Sequence, residues 1–301
     1  MVPLLAGVLG ASAVACGAQN DDGTAGDGER GLTAALSAVP ASSAELPLTY
    51  RDVRTARRLV ATGASLYRGL DGYGVWELSG RPESRATFRT RYGFDAKNIE
   101  TSLLLGSQQS QRLTGTFDVD AARAALTKRG YKASDEGGDG VRLSKDGQAS
   151  FAVSASARVT DWLDGATLPL EAPSDAVTDD SAYRAVLDCL GDDVYEASLY
   201  GKRPEYRERG ITLVGVAGRV DGTKNPTETL CALTPSKAAA ERAAGKLRGK
   251  TGAGERYAGS KVTVGEGETP VVSLTWKNAT KSGLRPTDQE RTGELLRLLL
   301  S

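Results

Sequence analysis

Histidine is absent from the 301 residues of this sequence. This absence excludes Ser-His-Asp and Cys-His catalytic machinery, histidine metal ligands and the usual side-chain switch near neutral pH. The Gly-x-Ser-x-Gly elbow and the Ser-x-x-Lys pair, which are typical of exported serine hydrolases and penicillin-binding enzymes, are missing too. We therefore expect a protein that is not an enzyme and that has no cofactor and no metal site.

The sequence also lacks net charge and long apolar runs. Its 38 lysines and arginines balance 38 aspartates and glutamates, which argues against a general attraction to nucleic acid. Beyond the N-terminus, no stretch approaches the roughly 18 uninterrupted apolar residues of a membrane-spanning helix. With 40% hydrophobic and 25% charged residues, the composition is that of an ordinary globular protein.

The N-terminus resembles an export signal. Residues 1–15 are uncharged and end in Ala13-Val14-Ala15, directly before Cys16. The apolar part is too short to span a bilayer but suits a secretory signal, and small residues before a cysteine resemble a bacterial lipobox. We expect cleavage before Cys16, lipidation of its sulfur, and a flexible tether over residues 16–31. The alternative is an ordinary signal peptide cut after Ala15, because the usual basic residue is missing and Ala13 stands where lipoboxes more often have leucine.

If Cys16 is lipidated, Cys189 and Cys231 remain as an even pair in an oxidising compartment. We predict that they form a disulfide. The alternative is two buried free thiols, and a metal site is disfavoured because two thiols without histidine make a poor ligand set.

The body of the chain predicts an α+β fold with largely antiparallel sheets, because strands come in adjacent pairs. The pattern predicts a duplicated ββαββα unit, with a first lobe over residues 32–203 and a second over 204–301. In the first copy, strands 98–105 and 112–117 precede a helix over 121–128, the strand segments 132–143 and 150–159, and a helix ending at Leu190. In the second copy, strands 210–217 and 228–233 precede a helix over 236–248, strands 261–264 and 271–276, and a helix over 290–300.

Several apparent chemical motifs lie in the wrong structural context. Gly26–Gly31 fits G-x-G-x-x-G but lies in the tether rather than between a strand and a helix. The stretch 244–251 resembles a phosphate-binding loop but ends a predicted helix instead of following a strand. Carboxylates occur in pairs at predicted caps and turns, namely Asp118/Asp120, Asp161/Asp164, Asp179/Asp180 and Asp192/Asp193. A carboxylate-dependent hydrolase would need two such groups facing each other across a groove.

One segment has the composition of a binding surface. Six of the 17 aromatic residues lie between Tyr67 and Phe94, interleaved with arginines. Such mixtures are enriched at binding hot spots. They give a candidate patch of Tyr67, Tyr73, Trp76, Arg89 and Tyr92. The alternative is that these rings pack onto the first sheet.

Taken together, the signal, the neutral charge and the α+β body resemble uncharacterised lipoproteins of high-GC Gram-positive bacteria. The stretches that carry this resemblance are Gly72–Trp76, Thr114–Asp120 and Gly130-Tyr131. The resemblance implies a lipid anchor at Cys16 on the extracytoplasmic face of the cell membrane and no known activity. We expect a non-enzymatic envelope protein that binds or scaffolds an envelope protein or glycan. The alternatives are a solute-binding lipoprotein of a transporter and a carboxylate-dependent hydrolase.

Overall fold

The structure is a computed structural model of the chain. It describes residues 31–72, 85–106, 110–135, 140–162, 166–221, 225–255, 257–277 and 289–301. The expected signal peptide, Cys16 and almost all of the tether lie outside these residues, as do Tyr73, Trp76 and Asp164.

The described residues form twelve strands and eight α-helices. The strands are β1 (Leu48–Asp52), β2 (Ile99–Leu105), β3 (Ser110–Gly115), β4 (Lys132–Asp135), β5 (Val141–Ser144), β6 (Ser150–Val153), β7 (Ala157–Asp161), β8 (Glu196–Leu199), β9 (Leu213–Asp221), β10 (Asn225–Leu233), β11 (Lys261–Val264) and β12 (Val271–Lys277). The helices are α1 (Leu32–Leu36), α2 (Val53–Ala61), α3 (Arg85–Tyr92), α4 (Val119–Lys128), α5 (Ser181–Leu190), α6 (Pro204–Glu208), α7 (Lys237–Arg248) and α8 (Gln289–Leu300). None of the described helices has both the length and the apolar character needed to cross a membrane.

All twelve strands join one antiparallel sheet in the order β11-β12-β10-β9-β8-β1-β2-β3-β7-β6-β5-β4. The predicted α+β fold with a largely antiparallel sheet is therefore confirmed. Outward from the central β1–β8 pair, one half runs β1-β2-β3-β7-β6-β5-β4 and the other runs β8-β9-β10-β12-β11. A duplication would explain the matching order of the five strands nearest the centre in each half, but the first half has two further strands. The duplication itself stays a prediction, as does the boundary between residues 203 and 204.

Helices cover both faces of the sheet because apolar residues alternate along its strands. On one face, α1 and α5 pack on strands from both halves and form the central core. On the other face, α2, α3 and α4 form a first-half core, and α7 and α8 form a second-half core. In β9 the neighbours Leu213 and Val214 enter different cores. Gly215 lets α5 approach β9 closely, since a Cβ there would lie 2.7 Å from a methyl carbon of Leu190.

Local signals in the sequence explain where the main helices begin. The side chains of Asp52, Asp118, Asp180 and Ser236 each accept a hydrogen bond from a backbone N–H in the first turn of α2, α4, α5 and α7. Such a cap satisfies one of the donors that a helix leaves unbonded at its N-terminus. The predicted helices over 121–128 and 236–248 are thus present, with starts that differ by one or two residues.

The single strand predicted over residues 150–159 is wrong. The segment forms a hairpin of β6 and β7, turned at residues 154–157. Ser154 closes the turn, because its N–H donates to the Ala157 carbonyl over 2.8 Å and its Oγ accepts from the Ala157 N–H over 3.1 Å. Serine side chains make such local bonds readily, so the turn needs neither glycine nor proline.

Cys189 and Cys231 form a disulfide-capable pair in the central core. Cys189 lies on α5 and Cys231 lies on β10, and their Cα atoms are 6.2 Å apart. That separation lies within the range that a disulfide spans. The pair therefore joins the last helix of the first predicted lobe to a strand of the second, as the sequence predicted.

We expect the double variant Cys189→Ala/Cys231→Ala to unfold at lower denaturant concentration than the oxidised protein. Loss of a crosslink between residues 42 apart in sequence should lower the free energy of unfolding by about 4 kcal/mol in the chain-entropy model. Urea unfolding followed by circular dichroism measures the difference. Wild-type protein kept reduced should unfold at the same urea concentration as the variant. Equal stability of all three samples would contradict a disulfide that stabilises the fold.

Candidate functional site

A cleft of about 880 Å³ lies where the two halves of the sheet meet. It is lined by the end of β1, the first turns of α2, the start of β2, α1 and the loop before β8. The cleft therefore draws residues from segments that are far apart in the sequence. Gly31, the first described residue, also lines it.

Asp52 anchors one wall of the cleft. Its carboxylate caps α2 by accepting from the Thr55 N–H over 2.7 Å and from the Thr55 Oγ1 over 2.6 Å. Arg58 donates from Nη2 to the same Thr55 hydroxyl over 2.8 Å. This chain of bonds holds an exposed guanidinium at the cleft, one turn along α2.

Asp192 anchors the opposite wall. Its Oδ1 accepts from the backbone N–H of Thr33 over 2.9 Å and from the Thr33 Oγ1 over 2.7 Å. These bonds tie the start of α1 to the loop between α5 and β8. The start of α1 is therefore held by a carboxylate about 160 residues further along the chain.

Tyr50 lies at the base of the cleft and is almost completely buried. Burial raises the pKa of its hydroxyl well above the usual value, and the nearby carboxylates of Asp52 and Asp192 raise that pKa further. The hydroxyl therefore stays protonated across the physiological pH range and acts as a neutral polar group.

The cleft offers both donors and acceptors for hydrogen bonds. Arg54 and Arg58 supply guanidinium donors, and Glu100 and Asp193 supply carboxylate acceptors. Among the described residues, no group of three or more Asp, Glu or Cys side chains is placed to hold a metal ion. The arrangement suits a polar ligand with several hydroxyl or amide groups, rather than a strongly charged ion.

Most of the paired carboxylates have structural partners. Asp118 caps α4, Asp161 accepts from Ser110 Oγ over 2.6 Å, and Asp179 accepts from the Ala176 N–H over 3.0 Å. Asp180 caps α5 and forms an ion pair with Lys202 at 2.6 Å. Of the pairs that the structure describes in full, Asp192/Asp193 alone lines the cleft, and Asp192 is bonded to Thr33. Asp118, Asp179 and Asp180 thus lie at helix starts, as the sequence predicted, whereas Asp161 is the last residue of strand β7.

The structure places the described aromatic rings of the candidate patch inside the protein. Tyr67 and Tyr92 are 2% and 3% exposed and belong to the first-half core, while Arg89 is exposed. This supports the alternative, in which the rings pack onto the sheet. Tyr73 and Trp76 lie outside the described residues, so the patch as a whole stays a prediction.

Arg158 is a residue that the sequence analysis did not single out. It lies on β7, is fully buried, and its guanidinium carbon lies 4.6 to 5.1 Å from the ring centres of Tyr92, Phe94 and Phe151. None of its guanidinium nitrogens has a hydrogen-bond partner among the residues that the structure describes. The sequence does show many aromatic residues before β2. Their presence alone does not predict that some of these rings surround a buried arginine.

Comparisons with known proteins identify no family for the chain. No family model matches it, and no curated protein matches it. Among solved structures, crystal form I of TP0453 is similar to it, with 10% identity, a TM-score of 0.41, and coverage of 88% of this chain and 97% of that one. A likeness this distant says nothing about activity or ligands.

We expect the ionisation of Tyr50 to lower the free energy of unfolding at alkaline pH. A folded-state pKa above the unfolded value means that this contribution is fully present below about pH 10 and is lost as pH rises through the folded pKa. Tyr50→Phe should therefore lose less stability than wild type between about pH 9 and pH 11. Urea unfolding at both pH values measures this, and equal losses in the two proteins would contradict the burial of this hydroxyl.

Proposed function

We propose that this chain is a lipid-anchored, non-enzymatic protein of the extracytoplasmic face of the cell membrane, which binds another envelope component. The observation that carries the proposal is Cys16, which follows an uncharged apolar segment and precedes a polar, glycine-rich tether. The core disulfide-capable pair supports it, because disulfides persist outside the cytoplasm. Two or more acyl chains on Cys16 would anchor the protein stably.

The tether sets how far the body extends from the membrane. A flexible, glycine-rich chain of 15 residues has an average end-to-end distance of about 20 Å. Proteins and glycans of the inner envelope are therefore the partners that the anchored body would meet first.

Cys16→Ala tests the anchor. Cells fed a palmitate analogue should label the wild type but not the variant, and the variant should leave the membrane fraction. Cys189→Ala/Cys231→Ala is the matched control, because it removes two cysteines while keeping Cys16, and it should remain labelled. A mature protein that begins at another residue or carries no acyl group in mass spectrometry would overturn the proposal.

A solute-binding lipoprotein is the second candidate, and the cleft favours it. A solute receptor needs a concave site between comparable halves of the protein, lined by polar and aromatic groups. The cleft lies at the junction of the two halves of the sheet and is lined by Tyr50 and Tyr195. Both rings are buried, so a ligand would be held by hydrogen bonds to Arg54, Arg58 and Glu100 more than by stacking.

Tyrosine fluorescence during titration with a panel of amino acids and small sugars tests this second candidate. A ligand that binds in the cleft should bind about tenfold more weakly to Arg58→Met, since a charge-assisted hydrogen bond is lost. Arg242→Met is the control, because Arg242 is exposed on α7 outside the cleft. If the whole panel fails to bind, or if both variants weaken binding equally, the cleft is not a solute site.

A further inference from the structure

Three cations and two tyrosine rings alternate from the surface of the first half into its core. Lys145 Nζ lies 5.9 Å from the ring centre of Tyr131, and the Arg129 guanidinium lies 5.5 Å from the same ring. Arg129 lies 5.7 Å and the buried Arg158 lies 5.1 Å from the ring centre of Tyr92. We call Lys145, Arg129 and Arg158 the cation ladder.

The outer two members of the cation ladder are held in place by the backbone. Lys145 Nζ donates to the Arg129 carbonyl oxygen over 2.9 Å, and Arg129 Nη1 donates to the Arg91 carbonyl oxygen over 3.2 Å. Lys145 is exposed and Arg129 is half-buried, so a ligand in solution can contact both. Both side chains are therefore held in fixed positions around the Tyr131 ring.

Among the described residues, no carboxylate forms an ion pair with a member of the cation ladder. In the same described part of the chain, the Arg158 guanidinium also lacks a hydrogen bond. The buried Thr160 Oγ1, two residues further along β7, and the buried Oε1 of Gln111, which pairs with Thr160 from β3, lack one as well. Burial lowers the pKa of Arg158 to about 9, and the positive charge of Arg129 adds to that effect.

A buried positive charge without a partner raises the electrostatic potential at the surface above it, because the protein interior screens charge poorly. Lys145 and Arg129 lie where that potential reaches solvent. We propose that the cation ladder is a binding site for a phosphate group, which Lys145 and Arg129 contact and whose affinity Arg158 increases from beneath.

The chemistry of the two outer side chains fits a phosphate. A guanidinium can donate two parallel hydrogen bonds to phosphate oxygens, and a lysine ammonium adds a compact positive charge. The phosphate could belong to a lipid headgroup or be free in solution. The phosphate site does not require the lipid anchor. Evidence against the anchor would not count against the phosphate site, and evidence against the site would not count against the anchor.

Calorimetric titration of the full-length protein in a neutral detergent tests the site. Inorganic phosphate and soluble dihexanoyl phosphatidylglycerol are the two probes, with sodium chloride and sodium acetate at equal ionic strength as reference salts. Tighter binding of the phospholipid identifies a headgroup as the source, and tighter binding of inorganic phosphate identifies the free ion.

Arg129→Met should weaken phosphate binding about tenfold, because it removes a charge-assisted hydrogen bond while keeping an apolar stem against the rings. Lys145→Met should also weaken phosphate binding. The matched control is Lys128→Met, which removes an exposed neighbouring charge that lies over neither Tyr92 nor Tyr131. Because salt screens an exposed charge, Lys128→Met should weaken phosphate binding by about twofold or less. Equal losses in Lys128→Met and Arg129→Met, no binding by wild type, or equal binding of acetate would each overturn the proposal.

Arg158→Met tests the buried member. We expect it to weaken phosphate binding about tenfold without lowering the melting temperature, because the replaced charge is unpaired in the core. Wild-type affinity in a folded Arg158→Met protein would overturn the role of Arg158. Because Arg129→Met and Lys145→Met alter only the outer side chains, they decide the proposal even if Arg158→Met does not fold.

Discussion

The pairing of β1 with β8 is the constraint on which the rest of the structure depends. Four residue pairs, from Leu48 with Leu199 to Arg51 with Glu196, join the two halves into one sheet. Leu48 and Leu199 enter the central core on one face, while Arg51 and Glu196 form a mostly buried ion pair at 3.2 Å on the other. The same pairing brings Asp52 at the end of β1 beside the loop of Asp192 and Asp193, and so creates the cleft. Without the pairing of β1 with β8, the central core would be split between the two halves. The cleft would then lose the wall that Asp192 and Asp193 form.

The sequence predicted most individual elements because each carries a local signal. In α5, Tyr183, Val186, Leu187 and Leu190 recur at helical spacing after the cap Asp180, and all four are buried in the central core. The β6–β7 hairpin was not predicted, because Val153, Ala157 and Val159 continue an alternating pattern across the turn. The turn itself contains no glycine or proline. The β1–β8 pairing could not be predicted either. Periodicity shows which face of a strand is buried, but not which strand will lie beside it.

The candidate sites were less predictable than the fold, because each combines residues from distant segments. Asp52, Glu100 and Asp193 meet only through the sheet order, and nothing in their local sequence marks them as neighbours. Arg158 shows a second reason. An arginine in an alternating strand is expected to face solvent, but β7 is an interior strand between β3 and β6, and α3 places Tyr92 over this position. Burial of that side chain is a tertiary effect, so a strand pattern alone assigns it to the wrong environment.

Stability alone does not account for an arginine at this position. Removing a guanidinium from water costs several kcal/mol even after the protein relaxes. Each desolvated cation–π contact returns up to about 2 kcal/mol, so the three rings around Arg158 can offset much of that cost. A methionine of similar length would fill the same space with no charge to desolvate. The fold therefore tolerates Arg158 without gaining from it, and what distinguishes arginine from methionine here is the positive potential it adds beneath Arg129 and Lys145.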